Sequence, residues 1–142
     1  MHRLLRIIDV NLNRSQEGLR VCEDIVRFIL NDRKMLRSFK SLRHKVGALA
    51  KRIYGKKSLL LKSRNVKRDV GKITTYRESR RKNIGDVFRA NIGRVKESLR
   101  VLEETSKLLD RKISQSFKTI RFRVYELEKK SRVKLEAILY HR

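Results

Sequence analysis

Guanidinium, carboxamide and carboxylate groups recur at one fixed spacing in two places along the chain. "NLNRSQEGLRVCE" (Asn11 to Glu23) and "NIGRVKESLRVLE" (Asn91 to Glu103) both fit Asn-x-x-Arg-x-x-Glu-x-Leu-Arg-Val-x-Glu, seven defined positions at an offset of 80. Arginine suits bidentate binding of phosphate or carboxylate, and glutamate offers oxygen ligands to Mg²⁺. A core needs only its apolar spacing repeated. Repetition of the polar letters therefore points to ion pairs shared by both copies, or to a cavity that takes a charged ligand.

A helical wheel of about 100° per residue, started at Asn11, gives each group a direction. It predicts that Asn11, Arg14, Ser15 and Gly18 share the buried face, with Glu17 at its edge and Arg20 and Glu23 pointing away. The second run repeats this with Asn91, Arg94 and Ser98 inward, Glu97 at the edge and Arg100 outward. A buried guanidinium needs a partner. One reading pairs Arg14 and Arg94 with Glu17, Glu97 or a neighbouring helix. The other lines a polar cavity with two Arg-Asn-Glu clusters, the small Gly18 and Ser98 leaving room. Arg20 and Arg100 either pair along their own helices or reach a ligand. Arg43 and Arg121 also correspond, and their direction is open.

These groups are carried on helices. Leu12, Leu19, Cys22, Ile25, Val26 and Ile29 predict a first helix up to Asn31-Asp32. Leu36 to Ile53 predict a second, over about 34–54, which Gly55 ends. A third starts near Asp86. The fourth runs from about Ser114, with Phe117, Ile120, Val124, Leu127, Val133 and Ile138 inward. "FKSLRHKVGAL" (Phe39 to Leu49) aligns with "FKTIRFRVYEL" (Phe117 to Leu127) at an offset of 78, so the second inter-helix turn is two residues shorter. The expected fold is all-α: a pseudo-two-fold four-helix bundle of two duplicated hairpins, about 9–54 and 86–140, in one domain.

The join between hairpins, about 55–85, is a long loop of the kind that is often functional. Residues 55–82 carry eleven Lys/Arg against Asp69 and Glu78, a net +9. "SLLLK" reads as a short strand or packed segment. "RDVGK" reads as a turn in which Gly71 takes a positive φ.

Composition sets the outer limits. The single cysteine excludes an internal disulfide framework, and the start lacks the pattern of a signal peptide. A soluble, cytoplasmic protein without membrane association is expected. The 39 Lys+Arg against 15 Asp+Glu, a net +24, make the partners anionic. On charge alone phosphorylated metabolites, RNA and an acidic membrane surface all qualify, and a basic RNA-binding module without enzymatic activity is the rival class. Aromatic residues are sparse, which disfavours base-stacking platforms. "GKKS" (Gly55 to Ser58) lacks the first glycine and the strand-loop-helix frame of a P-loop. Cys22 falls on the core stripe, and His44 has no second histidine at ligand spacing.

The stretches "RIIDVNLNRSQEGLRVCEDIVRFIL", "LRHKV", "RDVG", "RANIGRVKESLRVLEE" and "IRFRVYELEK" together resemble one family. It is the small all-helical hydroxymethylpyrimidine-phosphate kinase of thiamine biosynthesis, found alone or fused in front of thiamine-phosphate synthase. The resemblance spans Leu5 to about Lys130. It implies ATP-dependent conversion of hydroxymethylpyrimidine monophosphate to the diphosphate, with ATP as co-substrate and Mg²⁺ as cofactor. Asn11, Arg14, Glu17, Gly18 and Arg20 match its first motif. Asn91, Arg94, Glu97 and Arg100 match its second, and Arg64, Asp69 and Gly71 match its loop signature more loosely. Cys22, where an aliphatic residue is usual, and the basic charge are departures.

With the resemblance, the candidate roles are as follows. Arg14, Arg94 and Asp69 act in catalysis. Asn11, Gly18, Arg20, Arg43, Arg64, Asn91, Arg100 and Arg121 hold substrate phosphates, while Glu17 and Glu97 hold metal. A phosphate monoester is already largely anionic at neutral pH, its second pKa being about 6. Transfer to it needs no strong base, and charge repulsion is the obstacle that arginines and Mg²⁺ relieve. The oligomeric state is open, a homodimer included, as is the half that takes ATP.

Overall fold

A computed structural model describes residues 1–55, 59–75 and 80–141. Helix α1 spans His2–Ile25 and runs on as a π-helical turn, Val26–Leu30; α2 spans Arg33–Tyr54. A short α3 (Leu59–Ser63) and a 3₁₀ turn (Val66–Arg68) lie in the connection, followed by α4 (Ile84–Ser106) and α5 (Arg111–Tyr140). The fold is all-α, as expected. Helix α1 packs on α4 and α2, and α5 packs on α4 and α2, closing a four-helix bundle.

The buried seam follows a seven-residue repeat and not the 3.6-residue wheel. In α1 it is Leu5, Ile8, Leu12, Ser15, Leu19, Cys22 and Val26; in α4 it is Gly85, Phe88, Ile92, Val95, Leu99, Leu102 and Ser106. The two sets are 80 apart throughout. Alternating steps of three and four are the pattern of helices that wrap around each other, drifting about 20° per heptad from a straight wheel. Phe39 of α2 meets Phe88 of α4 edge-on, ring centres 6.3 Å apart, at the centre of the core.

Helix starts are set by side-chain caps. Asp32 accepts the Met35 N–H, Asn83 the Asp86 N–H and Asp110 the Lys112 N–H, at 2.8–2.9 Å. Two of these caps also tie the hairpins together reciprocally. Asp32 pairs with Lys134 of α5, and Asp110 lies 3.9 Å from Arg52 of α2. Such an exchange is what a two-fold relation between hairpins requires.

The duplication differs at the turns. The two extra residues of the first hairpin are absorbed by the π-helical turn, which ends at Asn31 in the left-handed conformation (φ 51°). That widened turn rotates the stripe, so Ile29, expected inward, is exposed. Val133 is exposed because it sits on the outer face of α5, between the buried Ser131 and Leu135, and Ile138 because α5 runs on past Lys134, which already meets the α2 cap Asp32. Instead the α5 tail lies along α4, where Leu139 comes within 3.0 Å of a Cβ built on Gly85.

In the connection, "LLLKS" is helical rather than a strand, and α3 packs on α1. Gly71 sits in a turn without a positive φ. The turn is held by Asp69 Oδ1, which accepts the Gly71 N–H at 2.8 Å. Gly55 caps α2 in right-handed geometry. Lys56, Lys57 and Ser58 of the rejected P-loop run, and Glu78 of the basic loop, lie outside the described residues.

Candidate active site

The N-terminal half of α1, Arg94 of α4 and the segment from Arg64 to Asp69 enclose a cleft of about 760 Å³. Helix α1 lines it with Arg3, Arg6, Val10, Asn13 and Glu17, at steps of three and four, together with Ile7, Asp9 and Arg14. This row runs beside the buried seam, two residues before it from Arg3/Leu5 to Glu17/Leu19, and Arg14 stands between the two at Asn13/Ser15. The connection contributes Arg64, Asn65, Val66 and Asp69. Five arginines and three carboxylates meet here.

The two repeated arginines thus come together, but not as the wheel placed them. Arg14 and Arg94 are exposed, as are Glu17 and Glu97. The heptad drift accounts for the correction: it carries the seam to Ser15 and Val95 and leaves the preceding arginine on the flank. Among the described residues neither Arg14 nor Arg94 is engaged in an ion pair. Two unneutralised guanidiniums facing one cleft form a receptor for an anion of more than one charge.

Arg64 is held differently. Its guanidinium grips the carboxylate of Asp9 in a two-point pair, Nη2 donating to Oδ1 at 2.9 Å and Nε to Oδ2. Asp9 is buried on α1. The pair fastens the segment that follows α3 onto the cleft wall. Asn65 Oδ1 accepts the Arg68 N–H and starts the 3₁₀ turn, which brings Asp69 to the rim. Glu17 and Asp69 are the cleft carboxylates outside that grip.

Other motif residues turn out to hold the bundle. Asn11 and Asn91 donate from their side-chain amides to the carbonyls of Ile7 and Val87, each at 2.8 Å, one turn back on their own helices. Gly18 makes space for α4 rather than for a ligand. A Cβ there would stand 2.6 Å from Val95 Cγ2 and 2.9 Å from the Asn91 carbonyl oxygen. Ser98, its counterpart, turns its hydroxyl to the Val95 carbonyl at 3.0 Å. Arg20 lies near Asp24 at 4.0 Å, and Arg100 near Glu103 and Glu104 at 3.5 and 3.4 Å, all outside the cleft. Glu97 does not line it either.

Glu23, expected to face solvent, is 1% exposed, and Glu103 is 5% exposed. Arg43 grips Glu23 from α2, with Nη2 donating to Oε1 at 3.2 Å and Nε to Oε2. Arg121 Nε donates to Glu103 Oε2 at 2.9 Å from α5. The same ion pair is therefore built twice, once per hairpin. The signal was present in the sequence: Glu23/Glu103 repeat at 80 and Arg43/Arg121 at 78. Cys22 lies alongside, its thiol pushed far above the ordinary value by burial and then by Glu128 and Glu23. It is no nucleophile.

The wheel missed Arg3, Arg6, Asn13 and Asn65, although the step of three and four from Arg3 to Glu17 marks a polar helix flank. Among the described residues no three His, Cys, Asp or Glu side chains cluster as a metal cage. Glu17 and Asp69 fit the other mode of Mg²⁺ binding, in which one or two carboxylates share the ion with substrate phosphates. No helix among the described residues is long and apolar enough to cross a membrane.

Comparison with known proteins shows which sequences the chain is similar to. The chain is 40% identical over 126 residues to a thiamine-phosphate synthase of Synechocystis sp., covering 88% of this chain and 35% of that protein. It is 41% identical over 124 residues to one of Nostoc punctiforme (87% and 34%) and 39% over 127 residues to one of Thermosynechococcus vestitus (89% and 34%). The chain thus spans about a third of the length of these relatives. No solved structure matches it. The ThiD2 family pattern matches residues 6–130, both motif copies and every cleft residue but Arg3 included, and the chain belongs to the ThiD2 family.

Proposed function

We propose that this domain transfers the γ-phosphoryl group of ATP to hydroxymethylpyrimidine monophosphate, giving the diphosphate and ADP. The convergence of Arg14 and Arg94, one from each copy of the motif, on a single cleft carries this reading. The membership of a family whose relatives are named thiamine-phosphate synthases supports the substrate, since that name implies a pyrimidine component to be activated.

The chemistry asks little of a base. An oxygen of the acceptor phosphate, already anionic, attacks the γ-phosphorus, and the bond to the β–γ bridging oxygen breaks as ADP leaves. Two polyanions must approach in line. Arg14 and Arg94 neutralise and orient the phosphates, and Arg3 and Arg6 extend the positive wall. Glu17 and Asp69 would hold Mg²⁺, which would offset charge on the transferring group. The Asp9–Arg64 grip keeps Asp69 at the rim. Val10 and Ile7 give an apolar surface for the pyrimidine ring.

The test is ADP release by the purified protein with Mg²⁺ and ATP. Turnover dependent on hydroxymethylpyrimidine monophosphate is expected, with the free alcohol a poor acceptor because its proton has no base to go to. Absence of turnover with folded protein would sink the reading.

A further inference from the structure

Residues 33–68 contain fourteen Lys/Arg and not one of the chain's fifteen Asp/Glu. Helix α2 carries eight of those cations, of which Arg43 and Arg52 are matched by Glu23 and Asp110. The other six, Arg33, Lys34, Arg37, Lys40, Lys45 and Lys51, are exposed and make no ion pair among the described residues. A groove of about 330 Å³ runs between this face and α5, where Arg37 and Ser41 look across to Arg123 and Lys130, with Glu126 its single carboxylate. A second, shallower recess of about 470 Å³ continues from Arg37 past Lys40 to Lys45. None of these residues lines the Arg14–Arg94 cleft.

Heat adaptation does not account for such a face, because stabilising charge networks need both signs. Cations three and four apart on one helix repel each other, and only an anionic ligand relieves them. The ligand is extended: 22 residues of helix make a ridge on the order of 33 Å. It is also not recognised through apolar contact, since no large apolar side chain of α2 is exposed among the described residues. Protein partners are anchored by aromatic and aliphatic side chains at the interface centre. No Phe, Tyr or Trp of α2 is exposed among the described residues and none lines the groove with α5, so there is no stacking on bases there either.

We propose that the α2 ridge and its groove with α5 bind the phosphodiester backbone of nucleic acid, independently of sequence and of the cleft. Arg37, Lys40, Lys45, Arg123 and Lys130 contact phosphates, and the Ser41 hydroxyl donates to one. Binding of this kind weakens steeply with salt, by close to one unit of log–log slope per phosphate contact.

The experiment is fluorescence anisotropy with labelled duplex RNA and duplex DNA of about 20 base pairs across a salt series. The wild type is compared with Arg37→Gln/Lys40→Gln/Lys45→Gln and with Arg27→Gln/Lys118→Gln/Lys129→Gln, which removes equal charge elsewhere. The ridge variant should lower the slope by about two to three on both duplexes, while the control variant keeps it. Equal losses in the two variants would show binding by net charge alone and overturn the proposal. Ridge-dependent binding to phosphatidylserine vesicles or to poly-glutamate, with none to either duplex, would overturn it as well. ATP turnover in the ridge variant should stay at the wild-type rate, which separates this result from any failure of the kinase reading.

Discussion

The two ends of the repeated motif have opposite fates. At its C-terminal end, Glu23 and Glu103 are buried, and each is gripped by the corresponding arginine of its own hairpin. At its N-terminal end, Arg14 and Arg94 leave their hairpins and meet in one cleft. Duplication has made the scaffold twice and the site once. The flank that lines the cleft shows why: Arg3, Arg6 and Asn13 correspond to Asn83, Asp86 and Gly93 in the second copy. There Asp86 is tied to Arg89 and to the Lys82 N–H. The α5 tail lies over Gly85 and Phe88, whereas the first copy receives the connecting segment, with Arg64 on Asp9. Symmetry supplies the paired arginines, and the parts that break symmetry supply the enclosure.

The sharpest way to break this contrast is to remove a cleft arginine. Arg14→Ala and Arg94→Ala should each lower kcat/KM by about 10²–10³-fold, the usual loss for a donor that stabilises transition-state charge. Both side chains are exposed and make no ion pair among the described residues, so the melting temperature should hardly move, in keeping with about ±0.5 kcal/mol for surface positions. Steady-state kinetics beside thermal melts decides it. A variant that unfolds early while retaining kcat/KM would make Arg14 part of the scaffold.

Removal of a motif glutamate should do the reverse. Glu23→Ala and Glu103→Ala each strand an arginine that is only partly exposed, Arg43 or Arg121. A loss of about 1–3 kcal/mol is expected for the hydrogen bonds and burial forfeited, read by denaturant unfolding. Turnover at a temperature where the variant is folded should remain within a few-fold of wild type. Because the pair is built twice, the two variants should be alike, and a loss confined to one hairpin would deny the equivalence.

That reversal is also what the sequence concealed. The helices and their duplication are legible, since apolar spacing sets which faces must be buried. Direction within a polar motif is legible only in part: Asn11, Gly18 and Ser98 are buried and Arg20 and Arg100 exposed as the wheel placed them, but Arg14, Arg94 and Glu23 are not. Glu23 is buried only because a guanidinium arrives from another helix, and no pattern on α1 alone distinguishes that from a solvated glutamate. Arg14 was misplaced by a straight wheel, where the helices follow a heptad seam. Gly18 looked like room for a ligand, but the space belongs to the Asn91 carbonyl and Val95 of α4. Ile29 and Ile138 show the remaining limit: local periodicity continues past the point where a partner helix stops or a π turn intervenes.

The smallest effect concerns the helix caps that tie the hairpins, and it tests how far their reciprocity goes. Asp32 and Asp110 both cap second helices, but only Asp32 holds a lysine, Lys134, in direct hydrogen-bonding contact; Arg52 stands 3.9 Å from Asp110. The Lys134 hydrogen bond, followed by the Met35 N–H, holds the Asp32 carboxyl below its ordinary value. A carboxyl lowered on folding contributes stability that is fully present above its unfolded pKa of about 3.9, and loses it as pH falls through the folded value. Wild-type stability should therefore decline with an Asp32 component from about pH 4 downwards. Lys134→Met removes the first cause of the shift, so unfolding curves at descending pH should show a shallower decline, with little difference near neutrality beyond the lost surface pair. Equal acid slopes for the two proteins would mean that Lys134 merely lies close to Asp32, and that the two caps tie their hairpins equally weakly.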